Sequence, residues 1–183
     1  MKPRLSLKAR ALQLLAQREH SRIELRRKLL AHAVQHAAAS ANAESFAEVA
    51  ADASADSSAG PAFSRRLPPT ADMQASVDSL LDWLAANGHL SEARFVEARV
   101  RTRAARLGNL RIRHELAQHG LQLAPDEAQA LKDSEFARAR RVWTRKFEAS
   151  PGDAASRARQ ARFLAARGFS PDVIRRLLRG DDE

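Results

Sequence analysis

A short pattern occurs three times in this chain of 183 residues: an alanine- and leucine-rich run ends in glycine, and a large apolar side chain follows within two residues. The copies are LAANGHL at 84–90, LAQHGLQL at 116–123 and LAARGFS at 164–170. Glycine readily takes the left-handed conformation that ends a helix, and the apolar residue then folds back on the last turn. We therefore predict helices that end before Gly88, Gly120 and Gly168, with Leu116 buried.

Helix starts are also recognisable. Pro125 and Pro171 are each followed by aspartate, and proline followed by an acidic residue is typical of the first turn of a helix. Ser21 and Glu24 have the spacing of a capping box. With the apolar periodicity, these signals predict nine helices, at 5–18, 21–36, 72–87, 91–107, 110–119, 125–132, 134–148, 154–167 and 171–179.

The helices before and after Gly120 recur in the same order around Gly168, which indicates a repeat of helical units. Tyrosine is absent and aromatic residues make up only 5% of the chain, a composition that favours packed helices over sheets. We predict an all-α fold that is a tandem array of three three-helix units. The first unit comprises 1–36 and 72–89, the second 90–133 and the third 134–183.

The segment 37–71 interrupts the first unit. It is rich in alanine, serine, aspartate and proline, and its few large apolar residues cannot offset the entropy cost of ordering it. We predict that this insertion is mostly disordered, with transient helix at 43–51. It also marks a change of charge, because residues 1–36 hold nine Lys and Arg against two Asp and Glu, whereas 37–75 hold two against five.

The formal net charge of +9 favours polyanionic or acidic partners. Arginine outnumbers lysine 26 to 5, as a GC-rich genome produces without selection for binding, so the positions of the arginines are more informative than their number. Cysteine is absent, which excludes disulfides, thiol catalysis and cysteine-ligated zinc. No uncharged apolar run is long enough for a signal peptide or a membrane span. We expect a soluble, unsecreted, cytoplasmic protein that makes no membrane contact.

Catalytic motifs are missing from the sequence. His32 and His36 have i,i+4 spacing, but no HExxH arrangement surrounds them, and Glu92 and Glu97 fit surface charge better than a catalytic pair. No phosphate-binding loop or nucleophile turn is present. We therefore predict a protein that is not an enzyme and that has no cofactor and no metal site.

Three motifs in order resemble the RecX family, the regulators that bind the recombinase RecA. They are ARALQLLAQREHSRIELRRKL at 9–29, GHLSEARFVEARVRTRAARLGNLRIRHELAQHGL at 88–121 and RFLAARGFSPDVIRRLL at 162–178. Together they span nearly all of the chain outside the insertion. The sequence departs from the family pattern at His89, Ser91, Glu92 and Asn109, and serine and asparagine are well tolerated at helix starts.

The resemblance implies an elongated, curved array that lies in the groove of the RecA filament. It implies partners in RecA and the RecA filament on single-stranded DNA, with weak non-specific DNA binding. We expect a monomer. It also implies a modulator, on balance an inhibitor, of filament growth, ATP hydrolysis and strand exchange in recombination, DNA repair and the SOS response.

Candidate contact residues are basic side chains beside predicted apolar stripes. Val96, Val100, Ala104 and Leu107 form a buried stripe on a helical wheel, and Arg99, Arg103 and Arg106 form a second stripe beside it. The other candidates are Arg26, Arg27 and Lys28 in the first unit, Arg111 and Arg113 in the second, and Arg138, Arg141 and Arg145 in the third. The third unit also carries Arg140 and Lys146. The alternative for each is a solvated helix flank.

Two further alternatives stay open. Trp143 and Trp83 fit core packing better than base stacking. Ile23, Leu25 and Leu29 are the apolar face of the helix whose other side Arg26, Arg27 and Lys28 would solvate. The runner-up function is a direct DNA-binding transcriptional regulator of helix-turn-helix type. A recognition helix for DNA needs side chains suited to base edges, and RIRHELAQHG at 111–120 offers arginine and histidine but no clear adenine reader.

Overall fold

The computed structural model describes residues 5–49, 68–147 and 149–180, with the side chains of 40–49 outside the description. Within these ranges the chain is helical and contains no strand. The all-α prediction is therefore confirmed. The helices are α1 (Leu7–Gln17), α2 (Arg22–Val49), α3 (Ala71–Ala86), α4 (Glu92–Ala104), α5 (Asn109–Ala117), α6 (Pro125–Asp133), α7 (Glu135–Thr144), α8 (Ala154–Ala166) and α9 (Pro171–Arg179).

The predicted helix ends are confirmed at all three repeated patterns. Gly88, Gly120 and Gly168 have φ of 73°, 71° and 79°, which is the left-handed region. The backbone amides of Leu90, Leu121 and Phe169 each donate back to the carbonyl oxygen of the leucine that opens the pattern. Local capping chemistry thus fixes where these helices stop.

Three helix ends differ from prediction by three residues or more, and one of them is that of α7, which ends at Thr144 rather than at 148. α2 continues to Val49 although we predicted its end at 36, because the alanine-rich run that follows has high intrinsic helix propensity. α4 ends at Ala104 rather than 107, where a turn is closed by the Arg106 amide on the Arg103 carbonyl oxygen at 3.0 Å. The remainder of the predicted disordered insertion, 50–67, lies outside the described residues.

Residues 1–91 form one compact unit. Its core brings together apolar side chains of α1, α2 and α3, among them Leu14, Leu25, Leu29, Leu81 and Leu84. Salt bridges on the surface join α2 to α3, with Arg22 Nη2 2.7 Å from Asp82 Oδ1 and Arg26 Nε 2.6 Å from Asp78 Oδ1.

Two apolar residues of this unit were wrongly predicted to be core. Ile23 is 51% exposed and Trp83 is 38% exposed. The Trp83 ring is covered from outside instead, with Lys8 Nζ 3.8 Å from its centroid and the His89 ring 5.6 Å away. A cation over the face of an indole is favourable at a partly exposed site, so Trp83 packs without being buried.

The turn between α1 and α2 is held by a buried polar cluster. Ser21 Oγ accepts a hydrogen bond from the Glu24 amide at 3.1 Å, as the capping pattern predicted. The Glu24 carboxylate accepts from Arg18 and lies 3.1 Å from Lys28 Nζ. Burial raises the pKa of Glu24, but the hydrogen bonds from Arg18 and Lys28 outweigh it and lower the pKa to about 2.

Residues 92–183 form the other compact unit. It has two apolar clusters. One lies among α4, α5 and α6 and includes Phe95, Ile112 and Leu116, and the other lies among α7, α8 and α9. Leu116 is 1% exposed, which confirms its predicted burial. The second and third predicted repeat units therefore lie within a single compact body.

Backbone contacts join the two halves of this unit. The Gly108 amide donates to the Arg167 carbonyl oxygen at 2.9 Å, and the Leu110 amide donates to the Gly168 carbonyl oxygen at 3.0 Å. A Cβ on Gly108 would lie 2.2 Å from the Phe169 nitrogen, so only glycine fits at this approach. As a consequence, the turn after α4 lies against the end of α8.

Among the described residues, no helix combines the length and the apolar character that crossing a lipid bilayer requires.

Candidate functional site

The arginine stripe predicted on α4 divides into three different environments. Arg99 is half-buried, and its Nη2 lies 3.2 Å from His119 Nε2. Its guanidinium also lies over the Phe95 ring, with Cζ 5.2 Å from the centroid, and His119 meets that ring edge-on at 4.9 Å. Arg99 is thus fixed across the α4–α5 pair by aromatic neighbours.

Arg103 is held by a carboxylate on the next helix. Its Nε lies 3.0 Å from Glu115 Oε2, and Arg111 Nε lies 3.9 Å from Glu115 Oε1. The side chains of Arg103 and Arg111 keep 45% and 56% of their surface exposed, so both remain accessible. We call Arg99, Arg103 and Arg111, with their partners Glu115 and His119, the docking face. It sets three guanidinium groups against one carboxylate.

Arg106 has no such partner in the described residues and lines a cleft instead. The cleft has a volume of about 490 Å³ and is lined by Ala105, Arg106, Val142, Arg145, Lys146, Phe163 and Arg167. We call it the cationic cleft. Arg106 and Arg145 were predicted contact residues and Lys146 was noted beside them, whereas Arg167 and Phe163 were missed. Arg167 stands beside the C′ glycine of α8, and a basic residue at a helix end was the available signal.

Arg138 was predicted to contact a partner, and the structure contradicts this. The residue is 5% exposed. Its guanidinium donates to the carbonyl oxygens of Leu107 and Leu131, at 2.9 Å and 2.7 Å, and to Oδ1 of Asn109. Burial lowers the pKa of Arg138 despite the nearby Glu135 carboxylate. Arg138 is therefore a structural residue that satisfies helix-end carbonyl groups.

The candidates of the first unit are mostly paired. Arg26 donates from Nε and Nη2 to the two carboxylate oxygens of Asp78, at 2.6 Å and 2.9 Å, and this contact lowers the pKa of Asp78. Lys28 lies 3.1 Å from Glu24 Oε1. Arg27 is exposed, and in the described residues no carboxylate pairs with it. These ion pairs favour the solvated-flank alternative for Arg26 and Lys28.

The remaining candidates lie on the compact unit of residues 92–183. Arg113 is exposed at the rim of a mixed-charge cavity that also contains Asp133 and Asp172. Arg141 is exposed, and its Nε donates to the Ala137 carbonyl oxygen at 3.4 Å. Trp143 is half-buried against the α7–α9 cluster and donates from Nε1 to Gln160 Oε1 at 2.8 Å, which agrees with packing rather than base stacking.

The histidine pair of α2 does not gather further ligands. The His32 and His36 rings lie 6.1 Å apart, and His32 Nε2 is 3.1 Å from the Leu5 carbonyl oxygen. Across 5–49, 68–147 and 149–180, no group of three His, Cys, Asp or Glu side chains has the spacing of a metal site.

Comparison with known proteins matches this architecture. Two family models match, described as the second three-helix domain of RecX at residues 91–122 and the third three-helix domain of RecX at residues 133–178. A regulatory protein RecX of Leptothrix cholodnii is 41% identical over 180 residues, which cover 97% of this chain and 90% of the relative. Its counterpart in Ectopseudomonas mendocina is 40% identical over 184 residues, covering 98% and 97%.

A third relative, a regulatory protein RecX of Ralstonia pickettii, is 40% identical over 182 residues, which cover 98% of this chain and 90% of the relative. The likeness thus runs through both compact units. At this identity and coverage, the chain belongs to the RecX family.

Proposed function

We propose that this protein binds the recombinase RecA and its filament on single-stranded DNA, and that it restrains filament growth, ATP hydrolysis and strand exchange. The observation that carries the proposal is family membership over nearly the full chain, with relatives named as regulatory proteins. The protein acts without a catalytic group of its own, as a monomer in the cytoplasm, in recombination, DNA repair and the SOS response.

Within residues 92–183, the docking face is the surface best suited to a protein partner. Its guanidinium groups are already held in place by Glu115, His119 and Phe95. Binding then costs little additional side-chain entropy, which is the usual advantage of preorganisation. With three cations and one carboxylate, the face complements an acidic protein surface. We propose that it contacts acidic side chains of the recombinase.

A purely physical mechanism follows from this kind of contact. A regulator that binds across the surface of a filament changes the free energy of adding or losing a subunit, and it changes ATP turnover only through the enzyme it binds. Any effect on ATP hydrolysis therefore belongs to the recombinase, and the regulator needs to bind but not to react.

The alternative of a sequence-specific DNA regulator finds little support in the geometry. The amide groups nearest a recognition-type helix are those of Asn109 and Gln118. Asn109 is 6% exposed and bonded to Glu135 and Arg138, and Gln118 Nε2 lies 3.1 Å from His114 Nε2. Reading adenine requires a free amide at the groove, and α5 does not offer one at its start.

Co-sedimentation with RecA filaments assembled on single-stranded DNA tests the proposal. The wild-type protein should pellet with filaments. A variant with Arg103→Gln and Arg111→Gln should pellet at least about 10-fold less well, since each charged contact of this kind contributes on the order of 1 kcal/mol. The charge-matched control is Arg157→Gln with Arg159→Gln, two exposed arginines of α8.

The control should behave as the wild type does. A wild-type protein that stays in the supernatant would overturn the proposed function. Equal loss in the two double variants would overturn the assignment to the docking face and leave only an effect of net charge.

A further inference from the structure

The cationic cleft collects basic side chains from three separate elements. Arg106 comes from the turn after α4, Arg145 and Lys146 follow the end of α7, and Arg167 ends α8. The backbone contact between Gly108 and Arg167 brings the first and last of these elements together. Residues separated by some sixty positions in the chain therefore share one concave surface.

The charge of the cleft is not neutralised within the described part of the chain. None of the seven residues that line it is acidic. Arg103, Arg111, Arg26 and Lys28 each lie within 4.0 Å of a carboxylate, whereas Arg106, Arg145 and Lys146 have no such partner there. The three exposed cations are thus available to an anion that comes from outside.

Helix dipoles reduce this positive charge but do not cancel it. The C-terminal ends of α4, α7 and α8 all face the cleft, and each is equivalent to roughly half a negative elementary charge. Four side-chain cations against three such ends leave a clear positive excess. Several of the end carbonyls are also already bonded, for example those of Trp143 to the Lys146 amide at 2.9 Å and of Leu164 to the Arg167 amide at 3.1 Å.

Phe163 makes the floor of the cleft apolar. The Arg167 guanidinium lies over the Phe163 ring, with Cζ 3.7 Å from the centroid, and its Nη1 donates to the Phe163 carbonyl oxygen at 3.4 Å. Phe147 meets the same ring edge-on at 5.1 Å. Arg167 therefore presents a planar group beside the three exposed cations, and a nucleobase can stack on a guanidinium plane of this kind.

We infer that the cationic cleft is a binding site for the phosphodiester backbone of single-stranded nucleic acid, with Arg106, Arg145 and Lys146 on the phosphates and the Arg167 plane beside a base. Guanidinium groups bind phosphate oxygens through paired hydrogen bonds, and lysine adds a point charge. An open cleft with separate cations and a stacking surface suits a chain of phosphates and bases. The inference deepens the proposed function, on which it rests, because it names the residues that would hold the DNA strand, and its test uses no recombinase.

The test uses the full-length protein alone and a fluorescently labelled oligothymidylate of about 20 nucleotides, longer than the roughly 4–16 nucleotides that a compact module covers. Anisotropy is measured between about 50 and 200 mM salt. The test variant is Arg145→Gln with Lys146→Gln, and the charge-matched control is again Arg157→Gln with Arg159→Gln. Thermal melts by circular dichroism confirm that each variant is folded.

We expect the cleft variant to lose at least about 10-fold in affinity and the control to lose less than about 2-fold. Removing two phosphate contacts should also lower the slope of log K against log salt by about 1.4, at about 0.7 per contact on a single strand. Equal losses in the two variants, or no binding by the wild type at the lowest salt, would overturn the inference.

A second arm distinguishes the source of the phosphate. ATP is titrated as a competitor of the labelled oligothymidylate. Displacement only at concentrations far above those at which unlabelled oligothymidylate competes supports a backbone site. If ATP competes as well as the oligonucleotide and its effect is lost in the cleft variant, the cleft is a site for free nucleotides and the nucleic-acid inference is wrong. Failure here leaves the filament co-sedimentation result unaffected, since this assay contains no recombinase.

Discussion

Glu135 holds the first turn of α5 through Asn109, whose backbone amide and side-chain Nδ2 donate to its two carboxylate oxygens at 3.0 Å each. The same carboxylate accepts from the Ser170 amide at 3.1 Å, just before α9. Glu135 and Asn109 are both buried. One carboxylate thus satisfies amide groups at the starts of two helices, where the helix itself provides no acceptor. This contact, with Arg138, fixes how α5, α7 and α9 meet.

Replacing Arg138 tests how much this hydrogen-bond network contributes to the free energy of unfolding. Arg138→Ala leaves the carbonyl groups of Leu107 and Leu131 without their donor and opens a cavity. We expect the free energy of unfolding to fall by about 3 kcal/mol or more. Arg141→Ala, on the exposed side of the same helix, should change it by less than about 0.5 kcal/mol. Urea denaturation followed by circular dichroism measures both, and similar values for the two variants would contradict the structural role of Arg138.

The close approach at Gly108 gives a second prediction. Gly108→Ala places a methyl group against the backbone of Gly168 and Phe169. It should destabilise the compact unit of residues 92–183 by about 1–3 kcal/mol or more. A Cβ on Gly152 meets no atom within 4 Å, so Gly152→Ala is the matched control and should be close to neutral. Equal melting temperatures for the two variants would show that the backbone contact between α5 and the end of α8 is not maintained.

Two leucines of α5 test which face of the helix is buried. Leu116 is 1% exposed and Leu110 is 53% exposed. Leu116→Ala should lower the free energy of unfolding by about 2–4 kcal/mol because it removes packed methyl groups and leaves a cavity. Leu110→Ala should cost well under 1 kcal/mol. The opposite order in denaturant titrations would mean that the face of α5 has been assigned incorrectly.

Glu24 predicts how stability depends on pH. Its folded-state pKa of about 2 lies below the ordinary value of 4.5, so its contribution is present above pH 4.5 and is lost as the pH falls toward 2. The contribution is about 3 kcal/mol at most. Burial also lowers the pKa of His20 below 6.5, so the folded state favours the neutral imidazole. Protonation of His20 at low pH therefore also reduces stability.

The measurement is the free energy of unfolding of the wild type and of Glu24→Gln between about pH 7 and pH 2.5. The variant should be less stable at neutral pH, and the difference between the two proteins should shrink as the pH falls below 4.5. A difference that stays constant over the whole range would show that the Glu24 charge does not contribute to stability.

Helix ends were predictable from sequence because their chemistry is local. Glycine at 88, 120 and 168 and proline at 125 and 171 act within a few residues of their own position. The environment of a basic side chain is not local. Arg138 is buried by Leu107 and Asn109, about thirty residues earlier in the chain, and no helical period distinguishes it from the exposed Arg141.

The candidate site shows the same division. The wheel placed Arg99, Arg103 and Arg106 on one stripe, but it contained no information on Glu115, which holds Arg103, or on the end of α8, which faces Arg106. Side chains contributed by other helices decide which cations are paired and which are available. Arg167 was missed for this reason, since its role depends on the neighbouring ends of α4 and α7.

The measurement that tests the central claim most directly is the steady-state rate of ATP hydrolysis by RecA on single-stranded DNA, with increasing amounts of this protein. We predict that the wild type lowers the rate at amounts well below one molecule per recombinase subunit, and that Arg103→Gln with Arg111→Gln requires at least about 10 times more protein for the same effect. Arg157→Gln with Arg159→Gln should match the wild type. An unchanged rate when the wild type is present in excess over the recombinase would contradict the account.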